Sequence, residues 1–411
     1  MNRERLLDRF IQYVKIHTTA IDGAGCYPSS SGQWELGKLL VAELREIGAA
    51  DVEQDEHGLV WATLPANVQR EVPVVAFNAH LDTSPETSGE NVQPQVIRNY
   101  SGGDLVLPGD AKQVIRVADN PELESLHGGT LITTDGTTLL GADDKAGTAV
   151  ILEMASHLVE HPELEHGTIR ILFTCDEEIG HGADHVDLDK LGATAAYTLD
   201  GQGADEIDAE TFSADLATVT VRGVNIHPAI AKDHMVNAIR AAGALVAALP
   251  RDTLSPETTD ERDGFLHPYT FQGGVASVTL KILLRDFDSS ALAKQAELLH
   301  GVASQVESQF PGASISVDVT KQYRNMAEGL AREPRAVALA EDAHRRLGRT
   351  CRRTTVRGGT DGSQLTERGL PTPNLSTGQH NLHSPLEWAS LDEMVQAAEV
   401  LVELVQVWAE T

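Results

Sequence analysis

Apolar residues recur at helical spacing in two stretches near the start of the chain. Residues 3 to 16 and 32 to 47 put Leu, Phe, Ile and Val on one face, and the second run stops at Gly48. Both read as amphipathic helices. VPVVAFNAHLD (72–82) is different: a continuous, β-branched apolar run, which predicts a buried strand. TIRILFT and AAYTLDG, the latter ending on Asp200, repeat that signature, and AGTAVILEMASHLVE, which precedes TIRILFT, reads as a helix. Strands alternating with helices predict an α/β domain with a mostly parallel central sheet. Residues 83 to 130 are rich in Gly, Pro, Asn and Ser and read as a long irregular excursion. Loops of that length inside compact domains are usually functional or disordered.

The character changes near residue 214. ATVTVRG alternates as a strand, HMVNAIRAAGALVAAL has helical spacing, and GVASVTLKILLRDF is again a strand. ALAKQAELLHGVASQVESQ (a helix) and ASISVDVTKQY (a strand) complete the segment. This strand–helix–strand repetition is the pattern of a small α+β sandwich, ferredoxin-like in type. We read it as an insertion, with one domain formed by residues 1–213 and 324–411 and the other by 214–323. Beyond it, 334–347 is helical, TVRGGTDGSQL is a glycine-rich loop entering a helix, and 391–409 is the closing helix.

The length of 411 residues suits two domains, and a hydrophobic fraction of 41% suits sizeable cores, filled mainly by aliphatic side chains because aromatics make up 4%. A formal net charge of −29 argues against nucleic acid or an anionic membrane as partner, since both are polyanions. Cys26, Cys175 and Cys351 are scattered and form no C-x-x-C, which fits a reducing compartment. Cys175 reads as a small buried residue, with no base beside it in sequence. The N-terminal stretch mixes charges into its apolar pattern, unlike a signal peptide. AIRAAGALVAALP is too short to span a bilayer and carries Arg240. A cytoplasmic protein is expected.

Candidate chemistry gathers where strands end. His80 and Asp82 are two apart, so on a strand both point to one face. A metal-binding histidine usually donates its other ring N–H to a carboxylate, and Asp82 is placed for that. Asp143 and Asp144 lie between glycines, before a helix, in LLGADDKAG. FTCDEEIG sets Asp176, Glu177 and Glu178 directly after an apolar strand. Neighbours on a regular strand face opposite ways, so either the backbone turns there or the two glutamates have different roles. Asp176 is expected to be solvated or backbone-bonded, without chemistry of its own. Asp200 closes another strand. TGQHNLHSPLEW offers His380, His383 and Glu387 in a loop, and sequence alone leaves the two histidines in competition. In open α/β sheets, sites form outside the carboxyl ends of strands. Histidines and carboxylates without cysteine suit Zn²⁺, Mn²⁺ or Co²⁺, and so many carboxylates suit two ions bridged by one of them.

HLDTSPE, TTDGTTLLGADDKAG, FTCDEE, YTLDG, VNIHPAIAK, RGGTDGSQL and NLSTGQHNLHSPLE, in this order, resemble the M20 metallopeptidases and, among them, the tripeptide aminopeptidases. SSSGQW, ATLPANV, MVNA and LLRDFD extend the resemblance over nearly the whole chain. It implies a dizinc exopeptidase-like catalytic domain, and an inserted domain that serves as lid or dimerisation surface. His80 and Asp200 would hold one zinc, Glu178 and His383 the other, and Asp143 would bridge them across an unusual cis peptide to Asp144. Asp82 would orient His80, and Glu177 would be the general base for the water held between the metals. His227 would stabilise the oxyanion, often across a dimer interface in this clan. Arg285 and Arg357 are candidates for the substrate's carboxylate, which guanidinium can bind bidentately. Small peptides are the implied substrates. The alternatives on the same scaffold are a dipeptidase, a carboxypeptidase or an N-acyl amino acid hydrolase. A more distant alternative is a non-catalytic acidic protein that binds metal or peptide.

Overall fold

A computed structural model describes residues 1–411. The chain forms two compact units. One comprises Met1–Ala209, Glu328–Thr354 and Thr360–Thr411, and the other Glu210–Ala327 with Thr355–Gly359.

The first unit is built on a large sheet. Its four central strands, Ile169–Thr174, Val75–His80, Ala195–Gln202 and Asn374–His380, lie side by side in that order and run parallel. Val60–Leu64 and Ala50–Gln54 extend one side antiparallel; Trp388–Ser390, Leu131–Thr133 and Gln95–Ile97 extend the other. The Val75–His80 strand is buried on both faces, as its mainly apolar run predicts.

The Ala142–Glu160 helix is buried along most of its length and packs against the Val75–His80 and Ala195–Gln202 strands and the Leu391–Ala409 helix. Gly147 makes this approach possible: a Cβ there would lie 1.9 Å from the Leu199 carbonyl oxygen. No helix is long and apolar enough to cross a membrane.

The 83–130 excursion is more ordered than its composition predicts. It contributes the Gln95–Ile97 edge strand, a two-stranded ribbon of Leu105–Val106 with Val114–Ile115, and a single 3-10 segment, Pro121–Ser125. Tyr100, Leu107, Ile115 and Leu123 form a small core with Leu131 and Trp388. Strands of two or three residues are too short to leave a period in sequence, which is why turn residues dominated the reading.

The second unit has the order strand, helix, strand, strand, helix, strand. Its antiparallel sheet runs Phe265–Gly273, Ser277–Asp286, Ser213–Arg222, Ser314–Tyr323. With strands counted along the chain this is 2-3-1-4, the ferredoxin-like arrangement. The Ala238–Ala248 and Ser289–Gln309 helices close a core around Val219, Leu245, Leu280, Ile282 and Leu299.

Candidate metal centre and active site

The carboxyl ends of the parallel strands deliver the site. His80 is the last residue of its strand, and Asp200 lies near the end of the neighbouring one. Asp143 stands at the start of the buried helix with non-helical φ and ψ of −80° and 107°, and its peptide to Asp144 is cis. His80 Nε2 is 2.9 Å from Asp143 Oδ1 and 3.8 Å from Asp200 Oδ1. His383 Nε2 is 3.3 Å from Asp143 Oδ2 and 3.0 Å from Glu178 Oε2. Asp143 therefore offers one oxygen to each histidine. Ligand atoms of His80, Asp143 and Asp200 lie within 4.8 Å of one another, as do those of Asp143, Glu178 and His383.

The FTCDEEIG stretch turns sharply. Asp176 takes a left-handed backbone with φ of +61°, and Glu177–Ile179 form one 3-10 turn. Strand alternation therefore stops before the glutamates, and both reach the pocket: Glu177 Oε2 is 4.0 Å from His80 Nε2. Asp82 holds the turn. Its two carboxylate oxygens accept the Glu177 and Glu178 backbone N–H groups at 3.1 and 3.0 Å, while Oδ1 also lies 3.4 Å from His80 Nδ1. Asp176 is buried rather than solvated. Its carboxylate accepts the Ser29 N–H, the Ser29 hydroxyl and the Gln33 amide, and so anchors the turn from below.

Electrostatics make this a demanding cluster. Burial, reinforced by the charge of Asp143, pushes Glu178 up to about 8 and Asp200 up to about 7. Burial also raises Glu177 well above the usual carboxylate range. Asp143 behaves oppositely. Burial opposes its ionisation, but the two histidines outweigh it and hold the carboxyl below its ordinary value. His383 is pushed up to about 12, because Asp143 and Glu178 outweigh the burial that disfavours its charge. Glu178 Oε1 is buried and makes no hydrogen bond. Two histidines, three convergent carboxylates and an unpartnered buried oxygen are the donor chemistry of a pair of divalent cations.

A profile of the family described as Peptidase family M20/M25/M40 matches residues 139–407. The chain belongs to this peptidase family. Among its M20 relatives, Peptidase T of Geobacillus kaustophilus (strain HTA426) is 44% identical over 406 residues, 99% of this chain and 98% of that protein. The crystal structure of aminopeptidase PepT from Bacillus cereus superposes with a TM-score of 0.75 at 25% identity, covering 100% of this chain and 99% of the other. A tripeptidase from Staphylococcus aureus shares the fold with a TM-score of 0.77 at 23% identity, with both chains covered completely. The protein is thus an M20-family peptidase, a hydrolase of peptide bonds.

The remaining candidates are not members of the two clustered ligand groups. His380 is not among the clustered groups. It is buried, stacks on Trp388 with ring centroids 3.8 Å apart, and pairs with Glu393 at 2.7 Å and Glu122 at 3.5 Å. His227 belongs to the second unit, is exposed, and accepts the Ala229 N–H through Nδ1. Arg285, expected as a carboxylate clamp, is instead buried in the second unit. Its Nη1 donates to the Asp215 and Leu284 carbonyls, and its guanidinium lies 5.5 Å from the Tyr323 ring centroid. Arg357 lies 5.2 Å from the Phe212 ring centroid and donates to the Glu261 carbonyl and the Thr259 hydroxyl. Cys175 is buried, and burial raises its thiol well above the usual range.

Two supporting residues carried no role in the sequence reading. Glu387 accepts the N–H groups of Leu140, Gly141 and Asp143. Asn374 accepts the Asp200 N–H through its side-chain oxygen. For Glu387 the available signal was an acid four residues beyond His383, directly before an apolar strand.

Proposed function

We propose that this pocket is the catalytic centre of a metal-dependent aminopeptidase that removes the N-terminal residue from tripeptides. The observation that carries the reading is Asp143, whose two oxygens face two different histidines, with the Glu177 carboxylate beside His80. The full-length likeness to Peptidase T supports the substrate class. In this proposal His80 and Asp200 would hold one zinc ion and Glu178 and His383 a second, with Asp143 facing both pairs. Cobalt or manganese would suit the same nitrogen and oxygen donors.

The ions, when bound, supply Lewis acidity: they polarise the scissile carbonyl and make water a stronger acid. The chain's own groups do the rest. Glu177 takes the proton of the attacking water and delivers it to the leaving amine. Asp82 keeps Glu177 in place by holding two successive N–H groups of its turn. The Nδ1 of His227 accepts a hydrogen bond, so its proton resides on Nε2, the side proposed to donate to the tetrahedral oxyanion. Arg357 is the proposed contact for the substrate's carboxylate. The proposal includes a cytoplasmic setting, consistent with three free cysteines, and a homodimer as the assembly.

Metal analysis with a peptide series tests the reading. Two zinc ions per chain are expected, with cleavage of free tripeptides and no cleavage of their N-acetylated forms. Equal cleavage of the blocked peptides would rule out an aminopeptidase.

A further inference from the structure

Asp143 must present one oxygen to His80 and the other to His383, yet its own backbone is irregular. Leu140 and Gly141 belong to no strand, Gly141 has φ of +80°, and Asp143 is non-helical. The helical ladder therefore cannot fix this bend. Its N–H groups turn to one side chain instead. Glu387 Oε2 accepts from Leu140 and Gly141 at 2.7 and 2.8 Å, and Oε1 accepts from Asp143 at 3.1 Å. Glu387 is 1% exposed.

That carboxylate stands on the loop that carries His383. The loop is closed on itself: the Ser384 hydroxyl donates to the Asn381 carbonyl at 2.7 Å, and the Glu387 N–H donates to the Ser384 carbonyl at 3.1 Å. Trp388 follows at once as a buried strand residue. We propose that Glu387 is a positioning residue of the metal centre. It ties the bend that bears Asp143 to the loop that bears His383, and so sets the separation of the two ligands that share an ion. Only a carboxylate fits the task. Three N–H donors meet two acceptor oxygens, whereas a glutamine would offer one oxygen and turn an NH₂ toward an N–H.

The inference rests on the two-ion reading above. Its test is the full-length Glu387→Gln protein, titrated with Zn²⁺ in competition with a chromophoric chelator and assayed on a free tripeptide. Affinity for the weaker ion is expected to fall about 10–100-fold, the usual cost of losing a residue that orients a metal ligand. At limiting zinc kcat should fall with it, and KM should stay near wild type. Wild-type affinity for both ions would overturn the inference, even with a lower melting temperature, because a purely structural residue would give that result. Should Glu387→Gln fail to fold, Glu387→Asp keeps the charge on a shorter arm. It is expected to show weakened zinc binding, and wild-type binding there also overturns the inference. A wild-type protein that takes up no second ion defeats both readings. A wild-type protein that takes up two, matched by Glu387→Gln, defeats this one alone.

Discussion

Glu177 and Glu178 are adjacent in sequence, and the structure separates their surroundings within one turn. Glu177 lies toward His80 and Glu178 toward His383. Replacing Glu177 by Gln removes the proton acceptor and nearly preserves shape. A kcat about 10²–10⁴-fold lower is expected, with two ions retained per chain; steady-state kinetics and metal analysis check both halves. His380 illustrates the opposite case, a titratable group without a place in the chemistry. Burial disfavours its charge, but Glu122 and Glu393 outweigh this and raise its pKa. A folded pKa above the unfolded value means the contribution is complete below about 6.5 and fades as pH rises through the folded value. His380→Gln should therefore cost about 3 kcal/mol at pH 6, the order of a broken buried pair, and progressively less as pH rises through the folded value, by denaturant unfolding. At this scale the sequence reading found the residues at strand ends, because position along a strand predicts exposure at the sheet's edge. It gave no role to Glu387 and only an orienting one to Asp82. Their main bonds run to backbone N–H groups far along the chain, and such bonds leave no spacing to read.

The buried Ala142–Glu160 helix shows how an element positions a site. Its apolar sequence was legible as a helix, and its depth in the unit follows from Gly147, where backbone meets backbone. Gly147→Ala puts a methyl group against the Leu199 carbonyl, one residue from Asp200. A loss of about 1–3 kcal/mol in unfolding free energy is expected, together with weaker zinc binding as the Asp200 strand shifts. Calorimetry and zinc titration would report the two effects separately. Three of the four parallel core strands and both long helices of the second unit were equally legible from their apolar patterns, whereas Asn374–His380, whose end reads as loop in TGQHNLHSPLEW, was not. The 83–130 segment was not. Its order comes from packing Tyr100, Leu107 and Leu123 with Leu131 and Trp388, contacts made by residues too far apart to share a window.

At the scale of the molecule, the centre concentrates negative charge that only protons or cations can offset. Glu178 and Asp200 are raised to about 8 and about 7, so without cations the folded chain binds more protons than the unfolded one. Stability of that form must fall as pH rises from about 5 to about 8, by the sign of the linkage relation. Zinc needs the same groups deprotonated, so its stabilising effect should grow over that interval. Melting temperatures with zinc and with a chelator are predicted to differ more at pH 8 than at pH 6. The most direct test of the account is turnover of one free tripeptide and its N-acetylated counterpart, before chelation, after chelation and after zinc is restored. Cleavage of the free peptide alone, lost with the metal and recovered with it, is the predicted result. Undiminished turnover in the metal-free protein would contradict it.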